Sequence, residues 1–213
     1  MDSQRKEIAQ ILLDTESVKV KLDDPFTWTS GIRSPIYCDN RRLISFPEAR
    51  EMIVKGLLNL CSEFEDIDCI AGTATAGIPW ASFVAQYLGK PMVYVRSKPK
   101  GHGAGKQVEG VLDAGNRVVI VEDLLSTGGS AINSAEALKR EWDVDVVGVV
   151  AIFSYGLETL AKKMKAAGLE YMALSDFTTL SALLVEKQEI SPTDEARLIK
   201  FAEDPETWFA NLA

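Results

Sequence analysis

Glu122-Asp123-Leu124-Leu125-Ser126-Thr127-Gly128-Gly129-Ser130 sits directly after the apolar run Val118–Val121 and directly before Ala131–Leu138, which can continue as a helix. The run reads as a buried parallel strand, with two carboxylates facing outward at its carboxyl end, and the Ser/Thr/Gly stretch reads as a loop that opens a helix. Free backbone N–H groups and the positive end of the helix dipole converge on such a loop, which suits a phosphate. Glu122 and Asp123 add acceptors that suit sugar hydroxyls or a phosphate-bound metal. The stretch therefore reads as a site for a phosphorylated sugar. A plainer reading stands beside it, in which Ser126 and Thr127 only cap a helix and the acids are a solvated strand end. Gly128-Gly129 does not follow the G-x-G-x-x-G of a dinucleotide loop, and a P-loop is excluded because its Gly-Lys-Ser/Thr ending is absent.

Around this stretch apolar strands alternate with helices. Strands are predicted at Cys69–Gly72, Met92–Arg96, Arg117–Glu122, Val144–Phe153 and near Tyr171–Leu174. Helices are predicted at Ile78–Leu88 (ended by Gly89), Ser130–Glu141 and Leu157–Ala167 (ended by Gly168). The pattern implies an α/β fold, a mostly parallel twisted sheet covered by helices on both faces, with ligands at the carboxyl ends of the strands. Ahead of it, Ile8, Ile11 and Leu12 mark a surface helix, and three extended pieces follow at Val18–Leu22, Phe26–Ser30 and Ile36–Asp39. Turns at Asp23-Asp24-Pro25 and Gly31–Pro35 separate these pieces, which together read as a small appended sheet. Ser45-Phe46-Pro47-Glu48 starts a long helix to about Phe64. The tail holds a helix at Thr179–Lys187 and another opened by Ser191-Pro192-Thr193-Asp194, with Trp208 and Phe209 as packing anchors. The expected division is an N-terminal unit at 1–44, a core at 45–190 and C-terminal helices at 191–213.

With 213 residues, 46% hydrophobic and 25% charged, the chain has globular proportions and room for one well-buried domain with an appendage. A net charge of -8 disfavours a general affinity for nucleic acid or anionic membrane, so an anionic substrate must be met by a local cluster of cations. Cys38, Cys61 and Cys69 form no C-x-x-C pair and read as reduced thiols. The amino terminus lacks the apolar core of a signal peptide. The longest apolar run, Val146–Phe153, is short of the ~20 residues of a membrane span. A cytoplasmic protein is expected.

Three further segments carry chemistry. Ser97–Asn116 is a twenty-residue connection whose beginning gathers Arg96, Lys98, Lys100 and Lys106, the single histidine His102, and Gly101, Gly103 and Gly105. Mobility from glycine and affinity for polyanions from the cations suit a lid that closes over a phosphorylated ligand. Gly72-Thr73-Ala74-Thr75-Ala76-Gly77 also joins a buried strand to a helix, and its small residues permit close backbone approach to an anion. Two such loops plus a basic lid imply a ligand with phosphates at both ends. The segment Thr29–Arg41 offers Arg, Tyr and turn backbone to an acidic, planar second substrate, or is a surface hairpin with an Asp39–Arg41 ion pair.

Taken together, VVIVEDLLSTGGS, YVRSKPKGHGAGKQVEG and TSGIRSPIYCDNR resemble the type I phosphoribosyltransferase family, and within it the orotate-using branch. The motifs stand in the expected order, and the resemblance runs from Ile11 to about Leu184. It implies the family's fold with an N-terminal hood at 1–44, transfer of ribose 5-phosphate from 5-phospho-α-D-ribose 1-diphosphate (PRPP) to N1 of orotate, a requirement for Mg2+, and a homodimer whose lid reaches the neighbouring site. By the resemblance, Lys100, His102 and Asp123 are catalytic. Arg96, Lys100 and His102 contact diphosphate together with the loop holding Thr75 and Ala76. Glu122 and Asp123 hold the ribose hydroxyls directly or through the metal, and Leu124, Leu125, Ser126, Thr127, Gly128, Gly129 and Ser130 complete the PRPP site. Ser126, Tyr37, Arg41 and Tyr155 face orotate. In relatives the diphosphate loop can contain a cis peptide, here expected at Ala74–Thr75. Thr29, Thr75, Ala76 and Ser97 replace Lys, Tyr, Lys and Lys of the better-known enterobacterial pattern, and Tyr155 replaces an Arg. Lys98 and Lys106 are the cations expected to compensate. The rival readings are a phosphoribosyltransferase for another base and a noncatalytic PRPP-sensing regulator. The hood segment argues against the first, and the acidic charge and intact lid argue against the second.

Overall fold

A computed structural model describes residues 2–28, 31–99 and 105–210. Helix α1 (Asp2–Asp14) buries Ile8, Ala9 and Leu12 and docks on the far edge of the molecule, where Ser175 Oγ donates to the Arg5 carbonyl at 2.9 Å. Four short strands follow: β1 (Val18–Val20), β2 (Phe26–Thr27), β3 (Arg33–Ser34) and β4 (Ile36–Cys38). They form two antiparallel ribbons, β1 with β4 and β2 with β3, rather than the single small sheet expected. The second ribbon closes tightly because Gly31, at φ +88°, lets its N–H bond the Trp28 carbonyl while Trp28 N–H bonds the Ile32 carbonyl. A 3-10 helix (Asn40–Ser45), whose N-cap Asp39 accepts from Arg41 N–H, leads into α2 (Pro47–Cys61).

The core sheet begins with β5 (Cys69–Thr73), every residue of which is buried. Helix α3 (Gly77–Leu88) ends at Gly89 in the left-handed conformation. After it come β6 (Met92–Val95), β7 (Val108–Glu109), β8 (Arg117–Leu125), α4 (Gly129–Trp142), β9 (Asp145–Ser154), α5 (Glu158–Ala166), β10 (Tyr171–Asp176), α6 (Phe177–Glu186) and α7 (Pro192–Glu203). The sheet order is β10-β9-β8-β5-β6-β7, parallel except for the antiparallel edge pair β6–β7. The chain leaves β5 toward β6 on one side and returns as β8 on the other. The crevice beyond the carboxyl ends of β5 and β8 is therefore the topological switch point, where open α/β sheets bind ligands.

Val119 and Val121 of β8 join the core that includes Ile53 and Leu57 of α2, and Trp80 and Val84 of α3. Val118 and Ile120 join the opposite core, with Ala131, Ala135 and Leu138 of α4. This alternation decides where the next two side chains of the strand go. Gly77 makes the switch point possible at close range, since a Cβ there would lie 2.4 Å from the Val121 carbonyl oxygen. The tail closes the hood side: Phe201 of α7 is fully buried, and the capping box of Ser191 and Asp194 fixes where α7 starts. Trp208 is buried with its indole N–H on the Arg197 carbonyl at 2.8 Å, whereas Phe209 is exposed and its ring lies 4.7 Å from the Arg33 guanidinium carbon. Among the described residues no helix is long and apolar enough to cross a membrane.

Candidate active site

Strand β8 does not stop at Glu122. β9 runs beside it as far as Ser154, so Leu124 and Leu125 still pair with Phe153 and Ser154. Glu122 is consequently a buried strand residue, 3% exposed, and not an outward-facing strand end. Its side chain continues the row that faces α4, where Ser130 Oγ donates to Oε1 at 2.6 Å. Thr73 at the end of β5 also reaches it, and Thr73 Oγ1 lies 3.3 Å from Ser134 Oγ of α4. Asp123 takes the other face and looks toward the hood, where Arg41 and Asp39 act on it. One strand thus delivers a carboxyl to each side.

Burial pushes the Glu122 carboxyl up to about 7, against the pull of its Ser130 hydrogen bond, and burial pushes Asp123 up to about 6, with Arg41 pulling down. Both groups change protonation near neutrality, so each can accept or donate to a hydroxyl. The α4 helix beside them has Gly128 as N-cap, at φ +78°, and no side-chain cap. That excludes the reading of Ser126 and Thr127 as helix caps. Gly128 is needed twice over, for its backbone angle and because a Cβ would lie 2.9 Å from Leu160 Cδ1. Across the crevice α3 starts from Ala76, again with no side-chain cap, and the Ala74–Thr75 peptide bond is cis, as the resemblance implies. The main chain holds this loop to β6 through Ala74 N–H on the Val95 carbonyl at 2.8 Å.

Of the other sequence-predicted residues, Leu125 and Gly128 are buried, Leu124, Ser126 and Ala76 half-buried, and Thr75, Thr127, Gly129 and Ser130 exposed around the crevice mouth. Arg96 follows directly on β6. Its Nη1 lies 3.5 Å from Glu109 Oε1 and its buried Nε has no hydrogen-bond partner. Lys100 and His102, with Thr29, lie outside the described residues. The stretch that returns from residue 105 toward β8 is anchored on α4: Gln107 and Val108 N–H groups donate to the Glu141 carboxylate at 2.9 and 3.1 Å, and Lys106 sits over the Trp142 ring at 4.8 Å. Burial alone would raise the Glu141 carboxyl, but the Val108, Gln107 and Arg140 donors prevail and hold it below the usual range. Strand β7, inside the connection 97–116, begins at this anchor.

On the hood, Tyr37 and Arg41 are exposed, and Arg41 Nε donates to Asp39 Oδ1 at 2.5 Å, the ion pair expected of a surface hairpin. Tyr155 is buried under Trp28, with rings stacked at 5.0 Å, and desolvation first, then nearby Cys38, Tyr37 and Asp123, keeps its phenol protonated. Asp123 therefore lies within electrostatic reach of Arg41 and Tyr155. Asn40, Thr73, Ser134 and Trp28 belong to this neighbourhood without having been singled out from sequence. Asn40 Nδ2 donates to the Asp123 carbonyl at 2.6 Å. An apolar groove of about 660 Å³ lies elsewhere, between α1 and α2, lined by Ile11, Phe46 and Met52, and none of the groups with a raised proton affinity faces it. Among the described residues no three His, Cys, Asp or Glu side chains are grouped to hold a metal ion.

Residues 47–174 match the family described as the phosphoribosyl transferase domain. The chain is 50% identical over 202 residues to an orotate phosphoribosyltransferase of Halalkalibacterium halodurans, covering 94% of this chain and 96% of that one. Its fold is similar to the crystal structure of orotate phosphoribosyltransferase from Aeropyrum pernix, at TM-score 0.71 and 31% identity over 85% of this chain and 98% of that one. It is also similar to the Mycobacterium tuberculosis orotate phosphoribosyltransferase in complex with PRPP, at TM-score 0.63 and 25% identity over 83% and 98% of the two chains.

Proposed function

The chain belongs to the phosphoribosyltransferase family, in its orotate-using branch, and on that premise we propose how its residues divide the work. The reaction moves ribose 5-phosphate from PRPP to N1 of orotate, giving orotidine 5'-phosphate and diphosphate in pyrimidine nucleotide synthesis. The bond from the anomeric carbon to diphosphate breaks with its electrons leaving on oxygen, and the N1 lone pair forms the new bond. Positive charge gathers on the sugar and negative charge on the leaving group, so positioning and cations are the main means of catalysis.

The observation that carries the assignment of roles is the switch-point crevice, where two uncapped helix starts flank buried Glu122 and half-buried Asp123. Ser126–Ser130 and the α4 N–H groups hold the 5-phosphate. Thr75 and Ala76 at the α3 start, with Arg96, Lys100 and His102 of the lid, hold the diphosphate. Glu122 and Asp123, near neutrality, hold the ribose hydroxyls, and Asp123, on the hood side, steadies charge on the sugar. Ser126, Tyr37, Arg41 and Tyr155 face orotate. Two carboxyls with no third His, Cys, Asp or Glu beside them among the described residues suit a cation carried in on the substrate's phosphates, and Mg2+ would neutralise charge on the departing diphosphate. We further propose a cytoplasmic homodimer with the lid crossing to its neighbour. Exposed Phe46, Tyr87 and Leu88 at the ends of α2 and α3 support a protein-facing surface there.

The test is a base screen: purified protein, Mg2+ and PRPP are supplied with orotate, uracil, adenine or hypoxanthine separately, and nucleotide formation is measured. Turnover with orotate is expected. Turnover only with another base would overturn the reading.

A further inference from the structure

A transfer between two bound molecules needs the attacking atom about 3–3.5 Å from the carbon it attacks. Here the acceptor side is a hood built from residues before 46 and the donor side is the end of β8. Asn40 spans the two. It is fully buried, its Nδ2 donates across 83 residues to the main-chain oxygen of Asp123 at 2.6 Å, and its Oδ1 accepts from Cys38 Sγ at 3.2 Å. Both ends of the amide are used, so its orientation is fixed. Its root is firm as well. Asp39 N–H bonds the Ser17 carbonyl at 2.7 Å, and Cys38 pairs with Val18 in the β1–β4 ribbon. Its sequence neighbours Asp39 and Arg41 form the ion pair that stands beside the Asp123 carboxyl.

Building on the transfer reaction assigned above, we propose that Asn40 is a positioning residue that sets the height of the hood over the sugar and so the alignment of the acceptor with the anomeric carbon. Its bond goes to the main chain of the acid pair, leaving the Asp123 carboxyl itself for the ribose. Loss of the peg should therefore reduce alignment more than donor binding.

The experiment compares Asn40→Ala and the isosteric Asn40→Asp with the parent, measuring kcat per folded molecule and, separately, equilibrium binding of PRPP. Turnover is expected to fall by about 30- to 100-fold while PRPP affinity stays within about threefold. Cys38→Ala, which removes only the support of the amide, should lower turnover by about 3- to 10-fold, and Cys38→Ser, which restores a donor, should recover most of it. Turnover within threefold of the parent, or PRPP affinity falling in step with turnover, overturns the proposal. Should the Asn40 variants not fold, equal turnover in Cys38→Ala and Cys38→Ser overturns it, and recovery in the serine variant sustains it. A parent inactive with orotate would instead refute the assigned reaction.

Discussion

Glu122→Gln should make the protein more stable and less active, and the gain should depend on pH. Burial lifts the Glu122 carboxyl from 4.5 to about 7. At about 1.4 kcal/mol per tenfold change in proton affinity, keeping this group ionised in the fold costs about 3 kcal/mol. The unfolded chain releases the proton near 4.5 and the folded chain near 7, so the stability linked to the proton is full below pH 4.5 and is lost as pH rises through 7. Glutamine is uncharged and still offers an oxygen to Ser130 Oγ, and the charge-assisted part of that 2.6 Å bond is already contained in the value of about 7. The expected gain is therefore about 3 kcal/mol at pH 8.5 and about zero at pH 4.5. For a chain of this length that is about 6–12 °C in Tm. Urea unfolding without substrates, followed by tryptophan fluorescence at both pH values, measures it, and turnover of the same preparation should fall more than about tenfold. A variant no more stable than its parent at pH 8.5, or shifted equally at both pH values, would refute the reasoning.

Gly77→Ala places a Cβ 2.4 Å from the Val121 carbonyl, so α3 must lift from β8. A loss of about 1–3 kcal/mol together with weaker PRPP binding is expected, and a parental Tm would contradict it. Glu141→Ala removes the acceptor of the Gln107 and Val108 amides. Hydrogen exchange at those two amides should speed up by about tenfold or more, and unchanged protection would show that this stretch is held otherwise. Lys98→Ala with Lys106→Ala should raise the KM for PRPP about tenfold through lost charge, with little change in Tm, because both side chains are exposed. An unaltered KM would end their role as substitutes for the missing lysines.

The alternation of apolar strands and helices gave the sheet, because burial on both faces leaves a direct imprint on composition. Gly89, Ser191 and Pro47 gave helix ends for equally local reasons. What local pattern could not give was decided by partners distant in the chain. Whether β8 stops at Glu122 or Leu125 depends on how far β9 accompanies it, and that decides whether Glu122 is wet or buried. The two residues of β7 are too few for any periodicity, and their strand character comes from pairing with Tyr94 and Val95. The Asn40–Asp123 bond and the Trp28–Tyr155 stack join segments that carry no mark of each other. Asp176, which caps α6 and moves its start two residues ahead of Thr179, was legible in principle as an N-cap.

Trp28, with its ring between Tyr155 and Phe201, also orders events in time. Strands β5, β6, β8 and β9 can pair as soon as β9 has been made. The hood has no such freedom, for it leans on α7, through Phe201 and through Asp23 at 3.7 Å from Arg197. At about 5–20 residues per second the ribosome needs on the order of ten seconds or more between making Trp28 and making Phe201. A nascent chain would therefore pass through a stage in which the central strands are already paired while the aromatic cover over Tyr155 is still unassembled and wet.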